Sequence, residues 1–470
     1  MESTLVSYQK LVRARRWDFE YFDPEYQTIV DSIESSGWKI CKLGEIVINL
    51  TDGQHGYLVH LPEGIPLLRT TNIFENEIRL DDVRYIAPEV HTAIKRSQLK
   101  AGDVLLTTIG SLGIAAVVDN SLGEANINQN LVKMTPKPEV NPLYLSLFLN
   151  SNLGKVQTQR TASKSVVPII NYSRLKDIVI PVPPRSLQDQ IAQVMQVAYS
   201  DRQKKLKQAK NLLNSSSRVV LEELDLEISE LKDQKHFTVS ISKIAGGRFD
   251  LDLYNTCYTG LIALLREKFG SNLSSLKSLS QPITSGATPL GSKYFETGVP
   301  FLRVQNLNGA GEINLDNCLF ISEDFAKTLK RAVIQNDDIL LVIVGATIGK
   351  SAVVKDIKPP SVTNQALARI RIRETVDLLP EFLQAFLSSP AGQIQISALK
   401  RPVAQGNLSL TETGQILVPI VSLDQQKKVI SRIQDYRSEA KRLRSQAEAV
   451  VAAAKARVER MILGEEVGDG

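Results

Sequence analysis

The sequence predicts a mixed α/β (α+β) protein in which two copies of one globular domain are separated by two long helices. The helices are expected to pair as an antiparallel coiled coil with pseudo-two-fold symmetry. Three observations carry this prediction: an internal repeat of roughly 235 residues (the spacing between Asp103 and Asp338), a long helical stretch after each copy, and an apolar seam on each stretch. The predicted boundaries are 1–186 for the first domain, 187–232 for the central helix, 233–421 for the second domain and 422–463 for the C-terminal helix.

The repeat is visible in six pairs of matching segments that occur in the same order. These pairs are 16–21 with 248–253, 66–69 with 300–303, 103–106 with 338–341, 128–129 with 364–365, 142–157 with 380–395, and 178–181 with 416–419. The β-branched runs at 104–108 and 339–344, each followed by Gly and a second apolar run, predict β-hairpins. The stretches 144–150 and 382–388 predict short amphipathic helices. Long polar loops between these pieces are expected to carry function.

The last stretch of the chain, from residue 423 to 461, carries an apolar seam at alternating steps of three and four residues. The seam consists of Val429, Ile433, Tyr436, Ala440, Leu443, Ala447, Val450, Ala454 and Met461, and Arg457 interrupts it. A helix with one apolar stripe needs a partner, and we expect that partner in the same chain. The earlier seam consists of Ala192, Tyr199, Leu206, Leu213 and Val220 at seven-residue spacing. It is less regular, because Arg202 and Glu223 fall on it.

Charge and composition bound the class of protein. The 470 residues are 43% hydrophobic and 23% charged, as in ordinary soluble proteins, and can bury two or three domain cores. The net charge of +5 permits nucleic-acid binding without demonstrating it. Between residues 427 and 460, ten Lys or Arg stand against four Asp or Glu, a surplus of six that could attract DNA, attract an acidic partner or keep a helix soluble.

Targeting and metal binding find no support in the sequence. The basic N-terminal residues are not followed by an apolar stretch, and the most apolar run, 339–344, is too short to span a bilayer. We therefore expect a cytoplasmic protein without a membrane partner. Cys41, Cys257 and Cys318 lie far apart and form no CxxC pair, so neither a disulfide framework nor a zinc site is expected.

Several repeated segments together resemble the specificity subunit of type I restriction-modification systems. They are GIPLLRTTNI and GVPFLRVQNL, GDVLLTTIG and DDILLVIVG, the two Asn-Gln dipeptides, and IPVPP and LVPIV before the long helices. The resemblance covers nearly the whole chain. It implies two target recognition domains, each reading one half of a bipartite site in double-stranded DNA, and a helix pair that docks two methyltransferase (M) subunits. Restriction (R) subunits are a further implied partner. The resemblance implies no catalytic residue, metal or cofactor in this chain, with S-adenosylmethionine, ATP and Mg²⁺ only in the partner subunits.

Two motifs that could indicate an enzyme fail on spacing or context. The segment GATIGKS at 345–351 resembles a phosphate-binding loop, but three residues separate its glycines where that loop needs four. The tetrapeptides at 23–26 and 141–144 resemble the adenine-holding motif of amino-methyltransferases but lack its second proline. We favour a DNA-reading subunit. The alternatives are a coiled-coil scaffold with protein-binding heads and a methyltransferase or nuclease with unrecognised motifs.

Residues that contact DNA are expected where the two copies differ, if the two domains read different half-sites. By this logic the shared Asn128–Gln129 and Asn364–Gln365 amides satisfy backbone groups in preference to adenine edges. The divergent loops mix Lys or Arg for phosphates with polar side chains for base edges, and the alternative for any one residue is a solvated loop. The candidates in the first domain are Thr51, Gln54, His55, Arg84, Lys95, Arg96, Lys155, Gln157, Arg160 and Lys164. Those in the second are Thr284, Ser285, Thr288, Lys293, Lys330, Arg331, Lys400, Arg401, Gln405 and Asn407.

The length of the two helices would set the gap between the half-sites. About 36 residues at about 1.5 Å each give a rod of roughly 55 Å. Deleting 206–212 together with 443–449 keeps each seam in phase and shortens the rod by roughly 10 Å, about three base pairs. We predict that this variant, selected against DNA libraries with varied gaps, prefers a shorter gap between unchanged half-sites. Retention of the original gap at full affinity would show that the helices do not measure the site.

Overall fold

The chain forms two compact units, each containing one copy of the repeat. The computed structural model describes residues 24–56, 58–162, 169–170, 172–231, 234, 236–240, 244, 248, 250–287, 294–309, 311–357, 360–401 and 406–466. Unit 1 comprises Met1–Lys204 with Gln446–Gly470, and unit 2 comprises Lys205–Ser445. Among the described residues, no helix has the length and apolar character needed to cross a membrane.

Unit 1 is built from short strands and helices followed by one long helix. Its strands are β1 (Lys39–Lys42), β2 (Val47–Asp52), β3 (Ile65–Leu68), β4 (Ile73–Phe74), β5 (Glu77–Ile78), β6 (Arg84–Ile86), β7 (Val104–Thr107), β8 (Ala115–Val117), β9 (Asn126–Ile127), β10 (Leu131–Pro136) and β11 (Val179–Val182). Its helices are α1 (Pro24–Glu34), α2 (Leu43–Ile46), α3 (Pro88–Ala93), α4 (Pro142–Asn150), α5 (Asn152–Arg160), α6 (Tyr172–Leu175) and the first part of α7 (Arg185–Ser216).

Unit 2 repeats this order. Its strands are β12 (Leu273–Ser275), β13 (Thr284–Ser285), β14 (Val299–Leu302), β15 (Leu319–Ile321), β16 (Val333–Ile334), β17 (Ile339–Val342), β18 (Ser351–Val353), β19 (Ser361–Thr363), β20 (Leu367–Ile370) and β21 (Leu417–Pro419). Its helices are α8 (Val219–Glu223), α9 (Thr256–Phe269), α10 (Leu276–Leu279), α11 (Glu323–Thr328), α12 (Pro380–Ser388), α13 (Pro390–Leu399) and α14 (Leu410–Thr413). The last helix, α15 (Leu423–Ile462), begins in unit 2 and ends in unit 1.

A four-stranded sheet with two apolar faces lies at the centre of each unit. In unit 1 its order is β2-β10-β7-β8, and β7 pairs antiparallel with β8 as the predicted hairpin. Val104 and Leu106 of β7 pack towards α4 and the long helices, whereas Leu105 packs towards the three-stranded sheet β6-β3-β9. A strand covered on both faces needs an uninterrupted apolar run. The sheet β13-β20-β17-β18 of unit 2 follows the same rule, with the run 339–342 alternating between two clusters.

The predicted helix at 144–150 is confirmed as part of α4, but it is not amphipathic. All seven residues from Tyr144 to Asn150 are buried, because the sheet and the long helices enclose α4. Its polar side chains are satisfied internally. Asn76 Oδ1 accepts from Ser146 Oγ at 2.7 Å and from Asn150 Nδ2 at 3.1 Å, and Asn76 Nδ2 donates to Tyr199 Oη at 2.9 Å. This network connects α4 to helix α7.

One glutamine in each unit ties a helix to the last strand. Gln157 of α5 donates to the Val179 carbonyl at 2.9 Å and accepts from the Val179 amide at 2.9 Å. Gln395 of α13 makes the same two bonds with Leu417, at 2.9 and 2.8 Å. Both glutamines are buried. The predicted position of Gln157 on a DNA-facing loop is therefore wrong, because both polar atoms of its side chain are hydrogen-bonded to the main chain of Val179.

The apolar seam of α15 is buried as predicted. Val429, Ile433, Ala440, Leu443, Ala447, Ala454 and Met461 are buried, and Tyr436 and Val450 are partly buried. Where Arg457 interrupts the seam, Val458 takes the inward position and Arg457 Nε lies 2.6 Å from Glu466 Oε1. Six of the ten basic residues between 427 and 460 are ion-paired within the chain: Lys428, Arg432, Arg442, Lys455, Arg457 and Arg460. Most of the basic residues in this stretch therefore pair with carboxylates of the same chain.

The charged residues on the earlier seam are ion pairs to α15. Arg202 lies 3.2 Å from Glu448 in unit 1, and Glu223 lies 2.7 Å from Arg432 in unit 2. Within unit 2, Ala209 packs with Ala440 and Leu443, whereas Glu223, later in the chain, pairs with the earlier Arg432, so the two segments run antiparallel there, as predicted. Hydrogen bonds from Lys428 and Arg432 lower the pKa of Glu223.

The central helix differs from the predicted continuous segment to residue 232. Helix α7 ends at Ser216, and the short helix α8 follows it. The Ser216 and Ser217 hydroxyls each donate to a carbonyl three residues earlier, at 2.7 Å. Such side-chain bonds compete with the helical ladder. Asp225, at a φ of 47°, follows the end of α8.

We predict that Gln157→Ala lowers the free energy of unfolding by about 2 kcal/mol, because the Val179 amide and carbonyl lose their partner in a dry interior. Urea denaturation followed by circular dichroism measures the change. Gln159→Ala, an exposed position on the same helix, is the matched control and should be within about 0.5 kcal/mol of the parent. Equal stability of the two variants would contradict the structural role of Gln157.

Candidate nucleic-acid interface

Three segments of unit 1 that lie far apart in sequence meet at the end of strand β2. We name this surface rim 1 and define it by residues 51–55, 95–97 and 128–130. Gln54 forms a bridge with Asn128, and Arg96 Nη2 donates to the Gly53 carbonyl at 3.1 Å. Lys95 and Arg96 lie on a 3-10 turn, Lys95–Ser97, and both side chains are exposed. Of the predicted residues, rim 1 brings together Thr51, Gln54, His55, Lys95 and Arg96.

Unit 2 forms the corresponding surface, which we name rim 2 and define by residues 284–287, 330–332 and 364–366. Thr284 Oγ1 of β13 donates to the Arg331 carbonyl at 3.1 Å. Lys330 and Arg331 lie on the 3-10 turn Lys330–Ala332 and are exposed, as their counterparts in rim 1 are. Rim 2 brings together the predicted residues Thr284, Ser285, Lys330 and Arg331.

A glycine allows the strand end to approach the neighbouring loop in each rim. A Cβ on Gly53 would lie 2.2 Å from the Asn128 carbonyl oxygen, and one on Gly286 would lie 1.8 Å from that of Thr363. Both separations are far below van der Waals contact, so any side chain would push the segments apart. Gly53 in rim 1 and Gly286 in rim 2 thus allow the backbone segments of each rim to lie in close contact.

A basic side chain of the central sheet supports each rim, buried in unit 1 and partly buried in unit 2. Lys133 of β10 donates to the Gln98 carbonyl at 2.6 Å, and Arg369 of β20 donates to the Val333 carbonyl at 3.2 Å. Their β-partners are the equivalent residues Thr51 and Thr284. Desolvation lowers the pKa of both Lys133 and Arg369. Each of these two basic side chains links the segment after the 3-10 turn to the central sheet.

A carboxylate in rim 1 contacts two of the exposed candidates. Asp52 Oδ2 lies 2.5 Å from His55 Nε2, and Asp52 Oδ1 lies 3.1 Å from Arg96 Nη2, an ion-pair contact without hydrogen-bond alignment. The Asp52 side chain is 11% exposed, against 62% for His55 and 57% for Arg96. The β-register places Ser285 at the equivalent position of rim 2. Rim 2 therefore lacks this carboxylate.

Three other candidates of unit 1 are not among the residues that define rim 1. Arg84 is exposed on strand β6, at the edge of the three-stranded sheet. Desolvation and the charges of Arg84 and Arg69 lower the pKa of His60. Lys155 Nζ lies 2.5 Å from Glu75 Oε1, and the Arg160 guanidinium stacks 3.4 Å from the Tyr26 ring centroid. Lys155 and Arg160 are thus engaged inside unit 1, which corrects their expected position on a free loop.

Glu75 joins the first domain to the C-terminal helix. It pairs with Lys155 of α5 and with Lys455 of α15. Burial raises the pKa of the Glu75 carboxyl, but the hydrogen bonds from Lys155 and Lys455 outweigh that effect and lower it below its ordinary value. The carboxylate stays charged between two ammonium groups.

The loop after α13 lies beside rim 2. The Arg401 amide donates to the Asn407 carbonyl at 2.7 Å, and Leu408 bonds to Ile343, which in turn bonds to Ala366 of rim 2. Arg401 is exposed but paired with Glu412 at 3.0 Å, whereas Asn407 is exposed and Lys400 is partly buried. The remaining candidates lie outside the described residues: Lys164, Thr288, Lys293 and Gln405.

Among the amides shared by both copies, the two asparagines have the predicted backbone role. Asn128 Oδ1 accepts from the Asn130 amide at 3.1 Å, and Asn364 Oδ1 accepts from the Ala366 amide at 3.2 Å. Gln129 and Gln365 beside them are exposed.

The motifs that could have indicated an enzyme serve the fold. The segment 345–351 forms the turn between β17 and β18, where Gly345 and Gly349 have φ values of 105° and 93°. Asn141 caps α4, and the Tyr144 hydroxyl donates to the Pro181 carbonyl at 2.5 Å. Burial raises the pKa of Tyr144. In the described part of the chain, no group of three His, Cys, Asp or Glu side chains is arranged to hold a metal ion.

Sequence reasoning missed Asp52 and undervalued the Lys-Arg pair. Lys330 and Arg331 follow Lys95 and Arg96 by 235 positions, which is the period of the repeat. The sequence therefore already shows that this basic pair is shared by both copies. Asp52 could not be singled out, because its two partners become visible only when residues 52, 55 and 96 meet in three dimensions.

Comparison with known proteins agrees with this architecture. A family model described as the type I restriction modification DNA specificity domain matches residues 35–214 and 270–451. The specificity subunit of the type I restriction enzyme EcoBI from Escherichia coli is 26% identical over 297 residues, which are 62% of this chain and 56% of that protein. This chain thus spans little more than half the length of that relative. The MjaVIII specificity subunit from Methanocaldococcus jannaschii is 23% identical over 84% of this chain and 85% of its own length.

A solved chain from a type I R-M system shares the fold, with a TM-score of 0.50 and 14% identity over 92% of this chain and 98% of that chain. The two family-model matches coincide with the two copies of the repeat and cover more than half of the sequence. The chain therefore belongs to the type I restriction-modification DNA specificity family.

Proposed function

We propose that this chain is the DNA-reading subunit of a type I restriction-modification complex and binds one half-site of double-stranded DNA through each rim. The carrying observation is the Lys-Arg pair at the same 3-10 turn in both units, Lys95–Arg96 and Lys330–Arg331, exposed in both. Shared residues in the interior are explained by packing. Shared exposed cations without an acidic partner among the described residues, Lys95 and Lys330, indicate a common external partner, and the phosphate backbone is identical in every DNA sequence.

The neighbours of that pair differ between the rims. Rim 1 presents Gln54 and His55 next to Asp52, whereas rim 2 presents Ser285 and Ala287 at the positions of Asp52 and Gln54. Base edges are read by hydrogen bonds that depend on the side chain. The Lys-Arg pair common to both rims would hold the DNA backbone in the same way. The differing side chains beside that pair would read different half-sites.

Catalysis is assigned to partner subunits. We infer that the chain directs two methyltransferase subunits, docked on helices α7 and α15, and that restriction subunits join them. S-adenosylmethionine, ATP and Mg²⁺ belong to those partners in this proposal. The names of the relatives, specificity subunits of restriction enzymes, support this division of labour. The isolated chain should neither bind S-adenosylmethionine nor transfer a methyl group.

The test is competition between duplexes for the complex of this chain with its methyltransferase partner. The target is first located by comparing methylated bases in cells with and without the gene. We expect the complex to bind the specific duplex roughly 1,000-fold or more tightly than a random duplex. Equal affinity for both would favour the scaffold with protein-binding heads, and methyl transfer by the isolated chain would favour an enzyme.

The Lys-Arg turns should act through phosphates. We predict that Lys95→Ala with Lys330→Ala weakens binding to specific and random duplexes by the same factor. The slope of log affinity against log salt should fall by roughly two, about 0.9 for each phosphate that the variant no longer neutralises. Titrations at several salt concentrations measure both effects. Lys42→Ala, at an exposed lysine of unit 1 paired with Asp177, is the control and should leave the slope unchanged. Loss of preference at a single base pair would instead make these lysines base readers.

A further inference from the structure

We propose that Asp52 is a positioning residue that holds Arg96 and His55 as readers of a guanine and an adjacent amino-bearing base in the first half-site. The inference rests on the proposed DNA-binding function and deepens it, since it assigns base chemistry to rim 1. Asp52 itself would not contact DNA and would act through Arg96 and His55.

The geometry of Asp52 fits a positioning role better than a stabilising one. Its side chain is 11% exposed, and each oxygen faces a partner that is more than half exposed, His55 at 2.5 Å and Arg96 at 3.1 Å. An ion pair whose cationic side chain is more than half exposed is screened by water and contributes little to stability. A largely buried carboxylate directed at two solvent-facing side chains instead restricts their orientation, and groups held in place before binding lose less entropy on binding.

Arg96 is held on one side and open on the other. Its Nη2 donates to the Gly53 carbonyl at 3.1 Å and faces Asp52, while Nε and Nη1 have no hydrogen-bond partner among the described residues. A guanidinium has donors only, so its complement must present acceptors. Guanine presents two adjacent acceptors, O6 and N7, in the major groove, whereas adenine and thymine each present one acceptor there. A two-pronged contact uses Nη1 or Nε together with the second hydrogen of Nη2, which makes no aligned hydrogen bond to Asp52. Guanine is therefore the base that fits Arg96.

His55 supplies the opposite hydrogen-bonding character. The Asp52 carboxylate can only accept, so the short contact assigns the proton to His55 Nε2. When the ring is neutral, Nδ1 is an acceptor that suits the amino group of adenine or cytosine. Rim 1 thus presents donors and an acceptor side by side. Its recognised step contains a guanine and an adjacent base with an amino group.

Rim 2 lacks this arrangement. Ser285 occupies the position of Asp52, and Arg331 has no acidic partner in the part of the chain that the structure describes. A change at Asp52 should therefore affect the first half-site alone.

The experiment compares the parent, Asp52→Asn and Arg96→Lys, each in complex with the methyltransferase partner, on DNA libraries in which every target position is varied. We expect Asp52→Asn to lower the preference for guanine at one position of the first half-site roughly 10- to 100-fold. Preferences in the second half-site should stay the same, and affinity for random duplex should not fall, because loss of a carboxylate removes no phosphate contact. Arg96→Lys keeps the charge but loses the planar donor set, so it should reduce the same preference. The control is Asp82→Asn, which alters an Asp–Arg pair of unit 1 outside the rim and should change no preference.

Retention of every base preference by a folded Asp52→Asn would overturn the inference, as would an equal loss in both half-sites. Thermal melting establishes folding. Arg96→Lys changes an exposed side chain and keeps the test decisive if Asp52→Asn melts early, because full preference in Arg96→Lys would also overturn it. A parent complex that does not distinguish specific from random duplex would instead refute the proposed function.

Discussion

Burial of the apolar seam on α15 is the constraint on which both units depend. Val429 and Ile433 join the core of unit 2, whereas Val458 and Met461 join the core of unit 1. A helix with one apolar stripe gains its stability from packing that stripe, and the central sheets need a cover for their second apolar face. One helix meets this need in both units. The first domain is therefore completed by the far end of the chain, and neither copy of the repeat is a self-contained segment of sequence.

The interior and the surface of the two units follow different rules. Buried polar groups must be hydrogen-bonded, so pairs such as Gln157 and Gln395 recur with the same partners. Exposed residues are under no such requirement, and most loops differ. The exposed lysines of the Lys-Arg turns, Lys95 and Lys330, recur with no ion pair among the described residues. They are therefore the strongest indication of an external partner common to both units. Occurrence in both copies does not by itself distinguish a structural residue from a DNA-binding one. Whether the side chain is buried or exposed makes that distinction.

The distribution of ion pairs is more informative than the net charge of +5. Much of the positive charge is neutralised inside the chain, as Lys155 and Lys455 are by Glu75 and Arg432 is by Glu222 and Glu223. On the rims, Lys95, Lys330 and Arg331 have no acidic partner among the described residues. Charge that is left uncompensated at equivalent places of both units can act on a polyanion, whereas compensated charge contributes to folding. Asp52 is the exception on rim 1, and it orients its basic neighbour.

The sequence by itself determined the repeat, the hairpins at 104–117 and 339–353, the long helices and the seam of α15. These features are written in short-range periodicity, which the backbone geometry of strands and helices translates directly into structure. Only the tertiary structure decided that α4 is enclosed on all sides, that α7 ends at Ser216, and that the Gln157 amide faces Val179. It also decided that Asp52 meets Arg96, 44 positions later in the chain. Contacts of this kind depend on which segments become neighbours after folding. A local pattern cannot encode them, because the same polar residue fits a solvated loop, a buried tie and a DNA-facing rim equally well until its surroundings are known.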